Sequence, residues 1–530
     1  MVEEILNMSK EETNTFARYA MHKYWGKKPA KGLRHLIEEF SAEGDVVLDP
    51  FAGYGVFCCE AYLKGRSVIV NDLNPIANFI SATVLDKTVD LNKVKSAWSE
   101  ISKELSPYTD KWFGFQIDGK EYVAQSVLRN RAGLPIKFSY KDGRMVRTLD
   151  IPKDLAEKFV EDEKNSVITD WFPQEYLKPN SRISASEGMR VSDLFTRRTL
   201  ACHARLLALI NKYSTGKERD LLLLAFSANL ANCSKLVPPI KSRGELSQGA
   251  WMTGFYVADN YIENNVFHYY VNRLNKAIRG KEEYLRLAEH NRNLFASEYL
   301  DAGAWYSVAK DDARNLDLKD DSVDYVFTDP PYGDSVPYFE QSILWNSWLR
   351  FVPDYDSEIV ISDSHRRNKT LSQFETDIHR AISEIYRVLK PNKYFSITFH
   401  SLSGLEWKAL TNACVENNFE VVKYEWLEQK TYPPRQLNRL KTIKGDVLVT
   451  FVKRTHLPKP YYKADEQLKS ELMNFIEVTL RLAPQDTNSL MMDIMEWVLR
   501  GRFVIDRLDV FDVLNNNFKI NQEGKWLLNY

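Results

Sequence analysis

The sequence predicts an α/β fold: a doubly wound, parallel sheet, interrupted by a large inserted α+β region and followed by a C-terminal helical tail. Three observations carry this. Two short apolar runs near the N-terminus, Asp45–Asp49 and Ser67–Asp72, each end in an acid, with Gly53, Gly55 and a helix-like stretch to Leu63 between them. The alternation resumes at Trp305–Ala309 and Val323–Thr328, which run into Asp311, Asp312 and Asp329. From about residue 90 to about 303 it is absent.

The elements follow in order. Residues 1–95 form the first part of the sheet domain, where Asn74-Pro75 opens a helix with proline in its first turn. Residues 96–302 form the insertion. Phe113–Thr148 alternates as short strands with turn signals at Asp118-Gly119 and Asp142-Gly143, and Asp193–Cys233 reads as helices. Cys233–Gly254 reads as a basic loop, and about Asn264–Ala288 as another helix. Residues 303–456 complete the sheet with a helix over Leu371–Leu389 and strands over Tyr394–His400, Phe419–Trp426 and Gly445–Lys453. Residues 457–530 form a mainly helical domain closing in a hairpin.

Composition narrows the classes. The 530 residues are 44% hydrophobic and 27% charged, which excludes a disordered chain. No apolar run approaches the roughly 18 residues of a membrane span, and Met1–Lys10 lacks the apolar core of a secretory signal. The five cysteines are scattered with no C-x-x-C pair, so neither a disulfide framework nor a zinc site is expected, and a reducing cytoplasm is the expected location. Lysine and arginine total 71 against 72 acids. That balance excludes coating nucleic acid by bulk charge and leaves room for a local basic face.

Acids at the carboxyl ends of parallel strands face the crevice where such sheets bind ligands. Asp49, Asp72, Asp312 and Asp329 hold that position on four strands. Any one of them is readily a cap or turn residue. Four in series, beside glycines that let a backbone approach closely, point to a nucleotide-like ligand. In Asp329-Pro330-Pro331-Tyr332 two prolines remove two donors and stiffen the turn, leaving carbonyl and carboxylate acceptors beside a ring. That suits a flat molecule bearing an NH₂ group. A rigid turn with a packing tyrosine is the other reading of those four residues alone.

Together the motifs resemble a known family. Asp49-Pro50-Phe51-Ala52-Gly53-Tyr54-Gly55 is similar to the D-P-F-x-G-x-G cofactor motif of the S-adenosylmethionine-dependent DNA amino-methyltransferases, and Asp329–Tyr332 to their D-P-P-Y catalytic motif. His22–Pro29 resembles the segment that closes over the cofactor, and Arg387–Pro391 before a strand is a further likeness. The resemblance covers about residues 16–90 and 303–453. It implies a Rossmann-like methyltransferase sheet holding S-adenosylmethionine, with Lys23, Tyr24, Trp25, Asp49, Phe51, Gly53, Gly55, Asp72 and Asp312 as cofactor-binding residues. Asp49, Gly53 and Gly55 would line the methionine end, Asp72 would meet the ribose hydroxyls and Asp312 the adenine amine. It also implies catalysis by Asp329, Pro330, Pro331 and Tyr332 on a base flipped out of duplex DNA. Two departures stand out: Tyr54 replaces a small residue, and the insertion precedes the third strand instead of following it.

The resemblance favours adenine N6 as the target, because members with Asp before Pro-Pro-Tyr mostly act on adenine. Cytosine N4, an RNA base amine, and a non-catalytic DNA-binding defence component are the alternatives. DNA is the expected partner. A role in restriction–modification or phage defence, a separate nuclease subunit and association with the nucleoid belong to the same expectation. Lys235, Lys241 and Arg243, Arg366 and Arg367, and Arg435, Arg439 and Lys441 form basic clusters suited to phosphate contacts or to a solvated surface. Trp171, Phe172 and Phe195 suit either a DNA contact or packing, with packing favoured, and His203 reads as structural. The tail has the makings of a winged helix, but its acids favour packing or a protein contact over a DNA grip.

Overall fold

The computed structural model describes residues 16–244, 246–289, 306–334, 336–364, 367, 369–399, 405–427, 446–463, 465–506 and 508–529. Its centre is a seven-stranded sheet of β1 (Val46–Asp49), β2 (Ser67–Asn71), β3 (Tyr306–Ala309), β4 (Val323–Thr328), β5 (Leu389–Phe399), β6 (Phe419–Leu427) and β7 (Asp446–Lys453). The spatial order is β6-β7-β5-β4-β1-β2-β3. All neighbours are parallel except β7, which runs antiparallel to β5 and β6. β1, β2 and β4 are buried along their whole length, as their unbroken apolar runs require of strands covered on both faces.

The chain leaves β1 toward β2 and β3 on one side and returns to β4 on the other. β1 and β4 pair through Val47↔Tyr325 and Leu48↔Val326, so the switch point of the sheet lies between Asp49 and Asp329. The inserted residues sit between β2 and β3. One strand starts earlier than expected: β5 begins at Leu389, with a register shift between Leu389 and Tyr394 that accommodates Pro391 and a left-handed Asn392.

The insertion starts with a helix, Leu91–Phe113, capped by Asp90, and continues into antiparallel strands Gly114–Ile117, Lys120–Arg129, Pro135–Asp142 and Met145–Asp150. Asp118 and Gly119 both have positive φ (51° and 76°), the conformation a two-residue hairpin turn demands. Helices Arg197–Tyr213, Gly216–Leu230 and Val266–Ala288 follow. They share one continuous hydrophobic core with a face of the central sheet. The buried helix Tyr338–Trp348 is the joint. Phe195, His203 and Phe226 of the insertion pack their rings on Trp348 at 5.6–5.9 Å, and Trp171 at 6.4 Å. His203 is buried, donates from Nδ1 to Thr199 O at 2.8 Å, and burial depresses its pKa to about 3, a structural role.

The tail covers the opposite face. Helices Asp465–Leu482, Thr487–Arg500 and Val510–Asn517 are followed by a hairpin, Lys519–Ile520 with Lys525–Leu527, to which Gln485–Asp486 adds a third strand. Asn412 of the helix Leu405–Glu416 exchanges hydrogen bonds with the backbone of Ile505, and Arg502 donates to Val415 O. No described helix is long and apolar enough to cross a membrane.

Candidate active site at the switch point of the sheet

β1 delivers Asp49 to the bottom of a cleft. Its Oδ1 accepts from Phe51 N–H (3.1 Å) and Thr328 Oγ1 (3.2 Å), and burial raises its proton affinity well above the usual carboxylate range. Burial also raises Asp72 to about 6, although Asp72 accepts from the N–H groups of Gly53 and Asn74, each at 2.8 Å. Asn71 ties the turn together by donating to Pro50 O and Asp311 O.

β4 delivers Asp329 to the other side. Thr398 Oγ1 donates to Asp329 Oδ1 at 2.8 Å, and the Tyr332 hydroxyl also donates to that oxygen. Lys28 Nζ stands 3.0 Å from it. Lys28 belongs to the strap Phe16–Pro29, which crosses the cleft. Lys27 holds the strap's shape by donating to Tyr19 O (2.6 Å) and His22 O (2.7 Å), and Trp25 packs against Tyr24, Tyr338 and Trp345.

The cleft is lined by Tyr24, Trp25, Asp49, Phe51, Gly53, Asp72, Asp312, Asp329 and Pro331 among the residues singled out from sequence. Several others are placed differently. Lys23 turns away, its ammonium 4.2 Å from the centre of the Trp251 ring. Gly55 is needed for its left-handed φ of 81° and because a Cβ would stand 2.9 Å from Ser81 Cβ; it serves helix packing instead of lining the cleft. The Tyr332 hydroxyl donates to Asp329 Oδ1. Asp312 does line the cleft, but Arg314 Nε holds it, 2.9 Å from both carboxylate oxygens.

The basic clusters divide. Arg367 is buried and ion-paired with Glu340 (2.7 Å) and Glu358 (2.5 Å), so its charge serves the fold and a phosphate contact is excluded in this arrangement. Lys235 donates to Asp193 O at 2.9 Å, and Arg243 is exposed beside Lys241 in the short turn Lys241–Arg243. Arg366, Arg435, Arg439 and Lys441 lie outside the described residues. Sequence reasoning missed Lys28 and Thr398, which meet Asp329 only through the fold. It also missed Arg273, Lys276 and Arg279, which with Lys95 and Trp98 line a groove on the insertion. The signal was three cations at three-residue spacing on one helix. Among the described residues no group of three or more His, Cys, Asp or Glu side chains could hold a metal.

A family model described as DNA methylase matches residues 2–83. The type II methyltransferase M.MjaII of Methanocaldococcus jannaschii is 23% identical over 355 residues, 62% of this chain and 62% of that protein. The chain is similar to the amino-methyltransferase family over these stretches. A tRNA (guanine(37)-N(1))-methyltransferase of Schizosaccharomyces pombe is 30% identical over 164 residues, 31% of each protein. The chain thus spans less than two thirds of the length of either relative. The rRNA methyltransferase AviRa of Streptomyces viridochromogenes superposes over 81% of this chain and 86% of its own at 8% identity, with a TM-score of 0.24, too low to bear on fold or function. Where family members carry a small residue, Tyr54 is buried, donates to Arg18 O at 2.8 Å and lies under the Lys27 ammonium, 3.9 Å from the ring centre. It thereby anchors the strap.

Proposed function

We propose that the chain methylates the N6 amine of adenine in DNA, with S-adenosylmethionine as methyl donor. The observation that carries this reading is the juxtaposition of Asp49, Asp72 and Asp329 around one cleft at the switch point.

The cleft's residues fit the cofactor. Asp49 is a buried carboxylate whose raised proton affinity marks a demand for positive charge, which the ammonium of an amino acid meets. Asp72 offers acceptors to ribose hydroxyls, and Tyr24, Phe51 and Tyr338 give the cleft aromatic walls. Bound there, S-adenosylmethionine supplies an electrophilic methyl group on a sulfonium.

The chain's own residues act on the acceptor. An exocyclic amine is a poor nucleophile because its lone pair is delocalised into the ring. Asp329, with the Pro330 carbonyl beside it, accepts from the NH₂ and holds the nitrogen pyramidal, so the lone pair is free to form the new N–C bond. The surplus proton then leaves along the hydrogen bond to Asp329. Positioning and electrostatics therefore supply most of the rate. A base inside a duplex is out of reach of this cleft, so the base flips. Arg273, Lys276 and Arg279 crowd one another enough to lower the proton affinity of Lys276, an arrangement that a polyanion relieves.

The test is to incubate the protein with S-adenosylmethionine and unmethylated genomic DNA, or bulk RNA, and identify modified nucleosides by mass spectrometry. N6-methyladenine in DNA, lost with Asp329→Ala, is the expected result. N4-methylcytosine corrects the base, and a product in RNA alone overturns DNA as the substrate.

A further inference from the structure

The strap that crosses the cleft contributes a charge that the motifs themselves do not contain. Lys28 is only 6% exposed and its ammonium stands 3.0 Å from Asp329 Oδ1 and 3.4 Å from the Tyr332 hydroxyl. Three donors from three separated segments, Lys28, Tyr332 and Thr398, thus converge on one carboxylate oxygen. The other oxygen is bordered by Gly26. A Cβ at Gly26 would stand 3.4 Å from Asp329 Oδ2, and the residue holds a left-handed φ of 72°. The chain therefore turns tightly past the carboxylate without crowding it, and two residues later places a cation on it.

We propose that Lys28 is a positioning residue for Asp329, its ammonium holding that side chain ionised and turned into the cleft so that it accepts from the substrate amine. This inference rests on the amine-methylation reading above. The surroundings make the counter-charge necessary. Asp329 shares the cleft with Asp49 and Asp72, and the charges of Asp329 and Asp72 add to the burial that opposes ionisation of Asp49. The other ionisable groups facing the cleft are Glu358, which is paired with Arg367, Asp312, which is paired with Arg314, Lys27, whose hydrogen bonds go to backbone carbonyls, and the phenols Tyr24, Tyr54 and Tyr338. Of the lining cations, Lys28 is the one in contact with Asp329. A protonated Asp329 would offer one acceptor fewer, and the amine would keep its lone pair in the ring.

Two measurements test this. Trace acetylation read by mass spectrometry reports how much of Lys28 is free amine. Its rate should rise at least about fivefold in Asp329→Asn, because a buried ammonium that has lost this counter-charge gives up its proton more readily. The rate at exposed Lys153 serves as reference. The second measurement is the pH profile of methylation. In Lys28→Met, kcat should fall roughly 30-fold with the cofactor Kd within about threefold, and the acid limb should move up by about one pH unit. Lys28→Arg should restore the acid limb. A Lys28→Met variant with the wild-type acid limb, or an acetylation rate unchanged in Asp329→Asn, overturns the proposal. If the wild-type protein methylates neither DNA nor RNA, the amine-methylation reading and the positioning role fall together, whereas the acetylation result still reports the ion pair.

Discussion

The ring of Tyr24 lies against Gly53 so closely that a Cβ at Gly53 would stand 3.0 Å from Tyr24 Cε1. Strap and glycine turn are therefore fitted to each other, and Gly53 also holds a left-handed φ of 54°. Gly53→Ala combines this contact with a backbone penalty of about 1 kcal/mol. The variant should fold with a melting temperature a few degrees lower and bind S-adenosylmethionine at least about tenfold more weakly, since the ring must move into the cleft. Calorimetric titration checks it, and an unchanged Kd would show that the strap yields freely.

Asp329 should matter to the transfer and little to cofactor binding. Asp329→Ala removes an acceptor placed for the amine, a loss of roughly 100-fold or more in kcat by analogy with other preorganised polar contacts to a reacting group. The cofactor Kd should stay within about threefold. A rate assay paired with calorimetry separates the two quantities. Equal losses in both would assign Asp329 to the cofactor.

The central fold was legible because β1, β2, β3 and β4 are short apolar runs that lead into acids, and because Gly53 and Gly55 mark the first turn. Asp49, Asp72 and Asp329 could be placed together from that pattern alone, since parallel strands put their carboxyl ends on one edge. Lys28 could not. It lies 301 positions from Asp329, and no periodicity relates a strap residue to a strand end. Arg367 misled for the opposite reason. An arginine in a basic, polar stretch reads as surface, and only the fold reveals Glu340 and Glu358 closing on it. The insertion's helices were visible by composition, but their shared core with the sheet depends on Trp348, whose partners come from a distant segment.

Asp72 gives the site a pH dependence whose sign is set by its rise to about 6. A carboxyl held more protonated in the folded chain than its usual 3.8 favours folding below that range and loses this contribution as pH climbs through 6. Ribose hydroxyls need the ionised form as acceptor, so cofactor binding strengthens over the same interval. The melting-temperature gain on adding S-adenosylmethionine should therefore grow between pH 5 and pH 7, and the growth should shrink in Asp72→Asn. Thermal shift measurements at fixed ionic strength test this. A gain that is flat with pH would remove Asp72 from the cofactor contacts.

The basic groove on the insertion predicts a salt-dependent grip on DNA. Arg273, Lys276 and Arg279 line it together with Lys95, and Trp98 supplies an aromatic wall. Replacing Arg273, Lys276 and Arg279 with glutamate should weaken binding of duplex DNA about 100-fold near 0.1 M salt and reduce the slope of log K against log salt by about 2 to 3. Cofactor affinity should be untouched, because none of the three lines the cleft. Fluorescence anisotropy across a salt series measures both. A wild-type slope in the triple variant would move the phosphate contacts elsewhere.

Arg367 separates stability from recognition. It donates to Glu340 at 2.7 Å and to Tyr355 O at 2.6 Å, and pairs with Glu358 at 2.5 Å, all in a buried setting. Two glutamates share this one arginine, and burial raises Glu358 above the usual carboxylate range despite it. Arg367→Met leaves both carboxyls without their cation. Breaking a buried pair from one side costs about 3–5 kcal/mol, reduced here to the extent that the glutamates take up protons. Glu358 lines the cleft beside Phe339 and Ile359. Arg367→Met should therefore melt many degrees lower at pH 8, less so at pH 6 where the freed carboxyls are more readily protonated. DNA affinity measured well below the melting point should not change. Calorimetric melts at the two pH values, set beside anisotropy at 15 °C, distinguish this from a phosphate contact, which would weaken DNA binding and leave the melt where it was.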